Sequence, residues 1–259
     1  MKTINSNAGF FKKAKIMVKN IIKSGWGGVI KLLPKRYLPW ISYKIAERCG
    51  LVTQSLNLVL GKERQQFVFE TERNDYVRAS AVEFIANEIY DKNIEGSVAE
   101  LGVHRGDFAK YINQAFPDRK FYLFDTFEGF NSSDARVDIE NGYSTGNWDF
   151  TDTNVDLVLG KMVNSKMCIV KKGWFPDTTI GLNDSYAFVE IDVDLYEPMY
   201  NGLYYFYERL VKGGYMLLHD YNNDKEYRGI KAAVRKFSEE KNVPYFPLCD
   251  RWGSAIIMK

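Results

Sequence analysis

At 259 residues the chain exceeds the length of an average domain, although α/β folds of this length often form a single large core. With 46% hydrophobic and 26% charged residues it has the composition of a globular protein, and no uncharged apolar run reaches the roughly 18 residues that a membrane-spanning helix requires. The three cysteines lack the spacing of a disulfide framework or a structural zinc site, which favours a reducing cytoplasm.

The first 50 residues are strongly basic, with eleven Lys and Arg against one Glu, although the whole chain carries a net charge of only +2. Phe10, Ala14, Met17 and Ile21 recur at helical spacing among lysines and predict a basic amphipathic helix over residues 10–22. Such a helix either lies on an anionic membrane surface, here the inner face, or packs in a dimer or against the domain with its lysines in solvent; the second use is the commoner. Because the basic residues are confined to one end, no nucleic-acid partner is expected.

The rest of the chain alternates between helical and strand patterns. We expect a basic helical appendage over residues 1–70 and one compact domain over residues 71–259. In chain order, the predicted elements are a helix at 75–90, a strand at 97–103, a helix at 108–116, strands at 120–126, 167–171 and 187–193, a helix at 199–211, a strand at 215–219, a helix at 229–240, and strands at 243–248 and 254–258. This alternation predicts an α/β, Rossmann-like fold with a mostly parallel seven-stranded sheet and a C-terminal antiparallel hairpin. Residues 131–153, rich in Asp, Asn, Ser and Gly, are predicted to form a long loop of the kind that covers binding sites.

A glycine motif follows the first predicted strand. Glu100, Gly102 and Gly106 form an E-x-G-x-x-x-G pattern at a strand-to-helix turn, where glycines allow a nucleotide-like ligand to approach the backbone. Asp125 ends the next strand about 20 residues later, where a carboxylate can accept the ribose hydroxyls of a nucleoside. Since a tight turn or a dinucleotide enzyme would show the same pattern, the motif indicates a nucleoside pocket but leaves its ligand open.

Acidic and imidazole side chains follow two later strands. Asp192 and Asp194 end one strand, and His219 and Asp220 end the next. Carboxyl ends of neighbouring parallel strands open at the same edge of a sheet, so we expect these four side chains to converge. Such a cluster is usually occupied by a metal or divided in pKa for proton transfer, although a solvated acidic rim is the simpler alternative.

Taken together, these blocks give a sequence that resembles the macrocin O-methyltransferase family of class I S-adenosylmethionine-dependent enzymes, which methylate sugar hydroxyls. The resemblance covers roughly residues 70–240 and rests on the blocks E-L-G-V-H-R-G-D, F-D-T-F-E-G-F, K-G-W-F-P-D-T, I-D-V-D-L-Y-E-P, G-G-Y-M-L-L-H-D-Y and G-I-K-A-A-V.

The resemblance implies a role for each matching residue. S-adenosylmethionine is expected to contact the turn and the strand ends through Glu100, Gly102, His104, Gly106, Asp125, Thr126, Gly173, Trp174 and Asp192. Magnesium is expected at Asp192 and Asp220, with Asp194 as the general base. Where the family commonly has two consecutive aspartates this chain has His219-Asp220, so His219 is a candidate metal ligand or catalytic group. Either His219 shifts the preference from Mg²⁺ toward a softer ion such as Mn²⁺, or it does not coordinate the metal directly.

The predicted function is therefore metal-assisted O-methylation of a sugar or glycan, either a surface polysaccharide or a natural-product glycoside, by a cytoplasmic enzyme. Family resemblance also suggests a homo-oligomer. Two alternatives remain at the level of sequence. One is a nicotinamide-dependent oxidoreductase on the same fold, and the other is a noncatalytic scaffold of a glycan-assembly complex.

Overall fold

A computed structural model of the chain describes residues 76–146 and 149–259. The predicted basic helix at residues 10–22 and the predicted boundary at residue 70 lie outside the described residues. Among the described helices, none is long and apolar enough to span a membrane.

The described chain alternates helices and strands as the sequence predicts. The helices are α1 (Tyr76–Asp91), α2 (Ala109–Ala115), α3 (Ser132–Glu140), α4 (Val155–Leu159), α5 (Tyr196–Arg209) and α6 (Arg228–Lys241). The strands are β1 (Ser97–Leu101), β2 (Phe121–Asp125), β3 (Cys168–Lys172), β4 (Tyr186–Ile191), β5 (Leu210–Leu218), β6 (Phe246–Pro247) and β7 (Ala255–Met258).

These strands form one seven-stranded sheet in the order β3-β2-β1-β4-β5-β7-β6. The first five strands of that order pair in parallel, and β7 pairs antiparallel to both β5 and β6. The predicted sheet, with its antiparallel C-terminal pair, is thus confirmed. Strand order reverses between β1 and β4, and in open α/β sheets the crevice beyond the carboxyl ends of such strands is the usual ligand site.

The sheet is covered on both faces, which explains why its central strands are apolar almost throughout. Alternate residues of β4 illustrate the division. Val189 and Ile191 pack in the cluster that contains Phe206 of α5 and Phe237 of α6. Phe188 packs on the other side, in the cluster that includes Ile112 of α2.

Residues 131–153 were predicted to be a long loop, and that prediction is wrong for their first part, which forms α3. The Asn131 side chain caps this helix by accepting a hydrogen bond from the Ser133 N–H. The sequence of α3 lacks the hydrophobic periodicity of a helix, because the buried residues of this helix are two aspartates, Asp134 and Asp138. Near the C-terminus the predicted strand at 243–248 shrinks to the two residues of β6.

Candidate active site

A cavity of about 410 Å³ opens at the carboxyl ends of β1, β2, β4 and β5. It brings together almost all of the predicted site residues. Those that line it are Glu100, Gly102, His104, Asp125, Thr126, Gly173, Trp174, Asp192, Asp194, His219 and Asp220. The cofactor half and the acidic half of the predicted site therefore share one cavity.

The turn after β1 depends on its glycines. Gly102 has φ +89°, and a Cβ atom there would lie 1.9 Å from the Asp192 carbonyl oxygen, so no other residue fits. Gly106, predicted as a cofactor contact, is not among the described residues that line the cavity. Its N–H closes the turn on the Val103 carbonyl at 2.8 Å, and its Cα faces Val158 of α4.

Asp125 holds this turn in place. Its Oδ2 accepts hydrogen bonds from the N–H groups of Val103 and His104, both at 2.8 Å, and its Oδ1 accepts one from Phe127 N–H at 2.6 Å. Because each carboxylate oxygen has two lone pairs, Oδ1 can still accept a bond from a ligand hydroxyl. The carboxylate thus shapes the pocket as well as lining it.

Trp174 connects the far side of the cavity to α3. Its indole Nε1–H donates to Asp134 Oδ2 at 2.8 Å. Gly173 before it has φ +138°, which allows the chain to turn sharply after β3. The helix missed by sequence analysis therefore orients a side chain that the sequence did identify.

Left-handed backbone conformations concentrate at the cavity. Asp194 (φ 60°), Asp220 (φ 58°) and His104 (φ 46°) are non-glycine residues with positive φ, a conformation that costs about 1–3 kcal/mol each. The other three among the described residues are two asparagines just beyond helix ends, where this conformation is common, and Phe127 (φ 54°), two residues after Asp125. Strain of this kind typically marks a functional site.

The acidic half of the cavity is a compact ion cluster. His219 Nδ1 lies 2.9 Å from Asp192 Oδ1 and 3.1 Å from Asp220 Oδ2. On the other side of Asp192, Arg78 Nη2 lies 2.7 Å from Oδ2. The convergence predicted from the two strand ends is present, with a cation that the sequence analysis missed.

The sequence matches the family model for macrocin-O-methyltransferase (TylF) over residues 75–251, which includes every cavity residue discussed above. The chain belongs to the macrocin-O-methyltransferase family. It is therefore an S-adenosylmethionine-dependent O-methyltransferase, and the prediction of enzyme class is confirmed.

Solved structures agree with this family assignment at the level of the fold. The O-methyltransferase NovP is 21% identical, with a TM-score of 0.56 over 70% of this chain and 79% of NovP. The calicheamicin methyltransferase CalS11 is 19% identical, with a TM-score of 0.54 over 70% of this chain and 78% of CalS11. No curated protein sequence matches the chain significantly.

The ionisable groups of this methyltransferase site have pKa values that are shifted in opposite directions. Burial alone would raise the pKa of Asp192, but the charges of His219 and Arg78 hold it below its usual range. Burial and Arg78 lower the pKa of His219, yet Asp192 and Asp220 outweigh them and raise it to about 10. Burial, with the charges of Asp192 and Asp220, raises the pKa of Asp194 well above its usual range. Asp194, once it is ionised, is therefore a stronger proton acceptor than Asp192.

The donor set fits a divalent cation. Asp192, His219 and Asp220 each offer one ligand atom, and these atoms all lie within 4.8 Å of one another. His219 Nε2 is also buried without a hydrogen-bond partner among the described residues. Two carboxylates with a neutral imidazole suit Mn²⁺ at least as well as Mg²⁺, which prefers oxygen ligands alone, and a cation bound through His219 would displace the proton that its raised pKa otherwise keeps on the ring.

Several cavity residues were missed by sequence analysis because their own sequence context carries no signal. Arg78 lies on α1, far from the motifs, and its buried partner Glu190, which does not itself line the cavity, was noticed only as part of a strand. The aromatic and basic side chains that complete the cavity come from loops and helix ends: Phe130, Phe150, Tyr227, Arg251 and Trp252.

Proposed function

We propose that this enzyme transfers the methyl group of S-adenosylmethionine to a hydroxyl of a sugar acceptor, assisted by a divalent cation held by Asp192, His219 and Asp220. One observation carries the proposal: the nucleoside-type turn and the acidic ion cluster line the same cavity. An oxidoreductase would need the turn but has no use for the cluster. The relative CalS11 is described as a TDP-rhamnose 3'-O-methyltransferase, which supports a sugar acceptor.

The residues divide the chemistry between them. Asp194 accepts the proton of the acceptor hydroxyl in its ionised form, in which its raised pKa makes it a stronger base than an ordinary aspartate. A divalent cation supplies a positive charge that lowers the pKa of a hydroxyl it contacts. The turn at Gly102 and the carboxylate of Asp125 bind and orient the cofactor. Positioning of this kind contributes several kcal/mol to methyl transfer.

The acceptor enters over aromatic side chains. Trp252 is 40% exposed and lines the cavity with Tyr227. Aromatic rings pack well against the apolar faces of sugar rings while polar groups fix their orientation. The chemistry suits a surface-polysaccharide sugar and a natural-product glycoside equally.

Calorimetric titration with S-adenosylhomocysteine, with and without Mn²⁺ or Mg²⁺, tests the proposal. We expect micromolar binding that Asp125→Ala abolishes and that Asp177→Ala, which removes an exposed carboxylate outside the cavity, leaves intact. A screen of nucleotide sugars and glycans then identifies the acceptor, and Trp252→Ala should raise its KM. If the wild-type protein binds no S-adenosylhomocysteine under any metal condition, the scaffold interpretation replaces this one.

The proposal extends to location and assembly. A cytoplasmic homo-oligomer whose residues 10–22 contact the inner face of the membrane would bring the site close to membrane-anchored glycan intermediates. Flotation with anionic and neutral vesicles tests the first part, and light scattering of the purified protein tests the second. Equal recovery with both vesicle types would contradict an electrostatic membrane contact.

A further inference from the structure

Arg78 lies between two carboxylates, that of Glu190 on β4 and that of Asp192 just after β4. Its Nε donates to Glu190 Oε1 at 2.7 Å, and its Nη2 donates both to that oxygen and to Asp192 Oδ2. The Arg78 side chain is 7% exposed and that of Glu190 is fully buried. The guanidinium also stacks on the Phe108 ring, with Cζ 3.9 Å from the centroid, beside the cofactor turn.

This contact changes what Asp192 can offer to a metal. Arg78 engages Oδ2, while Oδ1 faces the His219 imidazole at 2.9 Å. A guanidinium is charged at every accessible pH, so it repels a second cation as well as engaging one oxygen. Arg78 therefore disfavours metal binding at Oδ2 by its charge and its hydrogen bond, and leaves Oδ1 as the better metal donor of Asp192.

We propose that Arg78 is a built-in cationic partner of Asp192 that competes with the divalent cation for this carboxylate. The inference rests on the metal site of the proposed function. Arg78 acts through Asp192 and is a positioning residue: it keeps the carboxylate in place when no metal is bound and limits how tightly a metal binds. A cation at this site is accordingly weakly held and exchangeable.

The charges around the cavity support such a role. Carboxylates crowd the ends of β1, β4 and β5, and buried carboxylates of one sign repel each other strongly. Three of them are buried, namely Glu100, Glu190 and Asp220, and two are partly buried, namely Asp192 and Asp194. Arg78 supplies a permanent positive charge that offsets this repulsion when no divalent cation is bound.

The test measures Mn²⁺ affinity by electron paramagnetic resonance of free Mn²⁺, in the presence of saturating S-adenosylhomocysteine. The informative variant is the double substitution Arg78→Met with Glu190→Gln, which removes one charge of each sign and leaves neither partner buried alone. Losing a charged hydrogen bond that competes for Asp192 should tighten Mn²⁺ binding about tenfold or more. Turnover should fall, because Asp192 is no longer held in position.

Glu190→Gln alone is the matched control. Of the carboxylates of Glu190 and Asp192, which both contact Arg78, this variant leaves only that of Asp192. Because Arg78 then engages Asp192 more strongly, Mn²⁺ binding should weaken. This variant also keeps the inference testable if the double variant does not fold, since unchanged or tighter binding in it would overturn the inference.

The outcomes separate this inference from the proposed function. Tighter Mn²⁺ binding in the double variant than in the wild type supports competition by Arg78. If the wild-type protein binds no measurable Mn²⁺ while the double variant does, the competition is still supported and only the metal assistance of the proposed function is refuted. Equal or weaker binding in the double variant, or no binding in either protein, overturns the competition. S-adenosylhomocysteine binding by the wild type and by Asp125→Ala tests the cofactor half of the proposed site independently.

Discussion

Asp138 predicts a pH dependence of stability that can be worked out from its surroundings. The residue is fully buried in α3, and its Oδ2 accepts a hydrogen bond from Tyr196 N–H at 3.0 Å, at the first residue of α5. Its Oδ1 has no hydrogen-bond partner among the described residues. Burial raises the pKa of Asp138 from 3.8 to about 6, although the Tyr196 N–H opposes the shift.

The sign of the effect follows from the raised pKa. Between about pH 4 and pH 6 the folded state keeps a proton on Asp138 that the unfolded state has lost, so this contribution to the free energy of unfolding falls as pH rises. At about 1.4 kcal/mol per pH unit, the loss from about pH 4.5 to about pH 7.5 is at most about 2 kcal/mol. Asp138→Asn cannot ionise and should escape this loss.

Urea denaturation of the wild-type protein and Asp138→Asn across that pH range checks the prediction. The wild type should lose about 2 kcal/mol relative to the variant as pH rises. Glu140→Gln, which changes an exposed carboxyl group on the same helix, should run parallel to the wild type. Parallel profiles for Asp138→Asn and the wild type would refute the assignment of a buried, raised-pKa carboxyl group.

Three further substitutions test the site. Gly102→Ala should abolish S-adenosylhomocysteine binding in calorimetry, because its Cβ would lie 1.9 Å from a backbone carbonyl oxygen, whereas Gly142→Ala, with no atom within 4 Å of its Cβ, should bind normally. Asp194→Asn should lower turnover by about 10²- to 10⁴-fold while cofactor affinity stays within about threefold, and equal losses of both would contradict its role as base. Trp174→Phe removes the hydrogen bond to Asp134 and should weaken S-adenosylhomocysteine binding about fivefold; an unchanged dissociation constant would show that the indole does not shape the cofactor side.

The sheet and the strand-end residues were predictable because their signals are local. Parallel strands buried on both faces appear as short apolar runs, and the residue that follows each run falls at the sheet edge where ligands bind. Asp125, Asp192 and His219 could therefore be placed in one cavity without knowledge of the packing. Their order along the chain and the strand order of the fold were sufficient.

Helix α3 was not predictable by the same reasoning, because its inward-facing side chains are charged. Hydrophobic periodicity detects a helix by its apolar face, and here Asp134 and Asp138 occupy that face. The usable signal was the N-cap: Asn131 precedes the helix, with Asp134 in its first turn. A capping residue followed by an acid in the first turn would have outweighed the loop-like composition.

The ion pair of Arg78 with Glu190 could not be predicted from local sequence patterns. An arginine on a helix is usually solvated, and nothing near residue 78 indicates that its partner is Glu190, 112 residues later. The strand sequence does contain a hint, since Glu190 lies on a central strand that is buried at every position, and a buried carboxylate requires a cation or a proton. Burial raises the pKa of Glu190 to about 7 even against the charge of Arg78, so without the arginine this carboxyl group would be protonated. Asp192 would lose the same positive charge, because Arg78 pairs with both carboxylates. The acidic cluster of this methyltransferase therefore depends on a residue outside its motifs, and the electrostatics of the cavity have to be read from the whole fold.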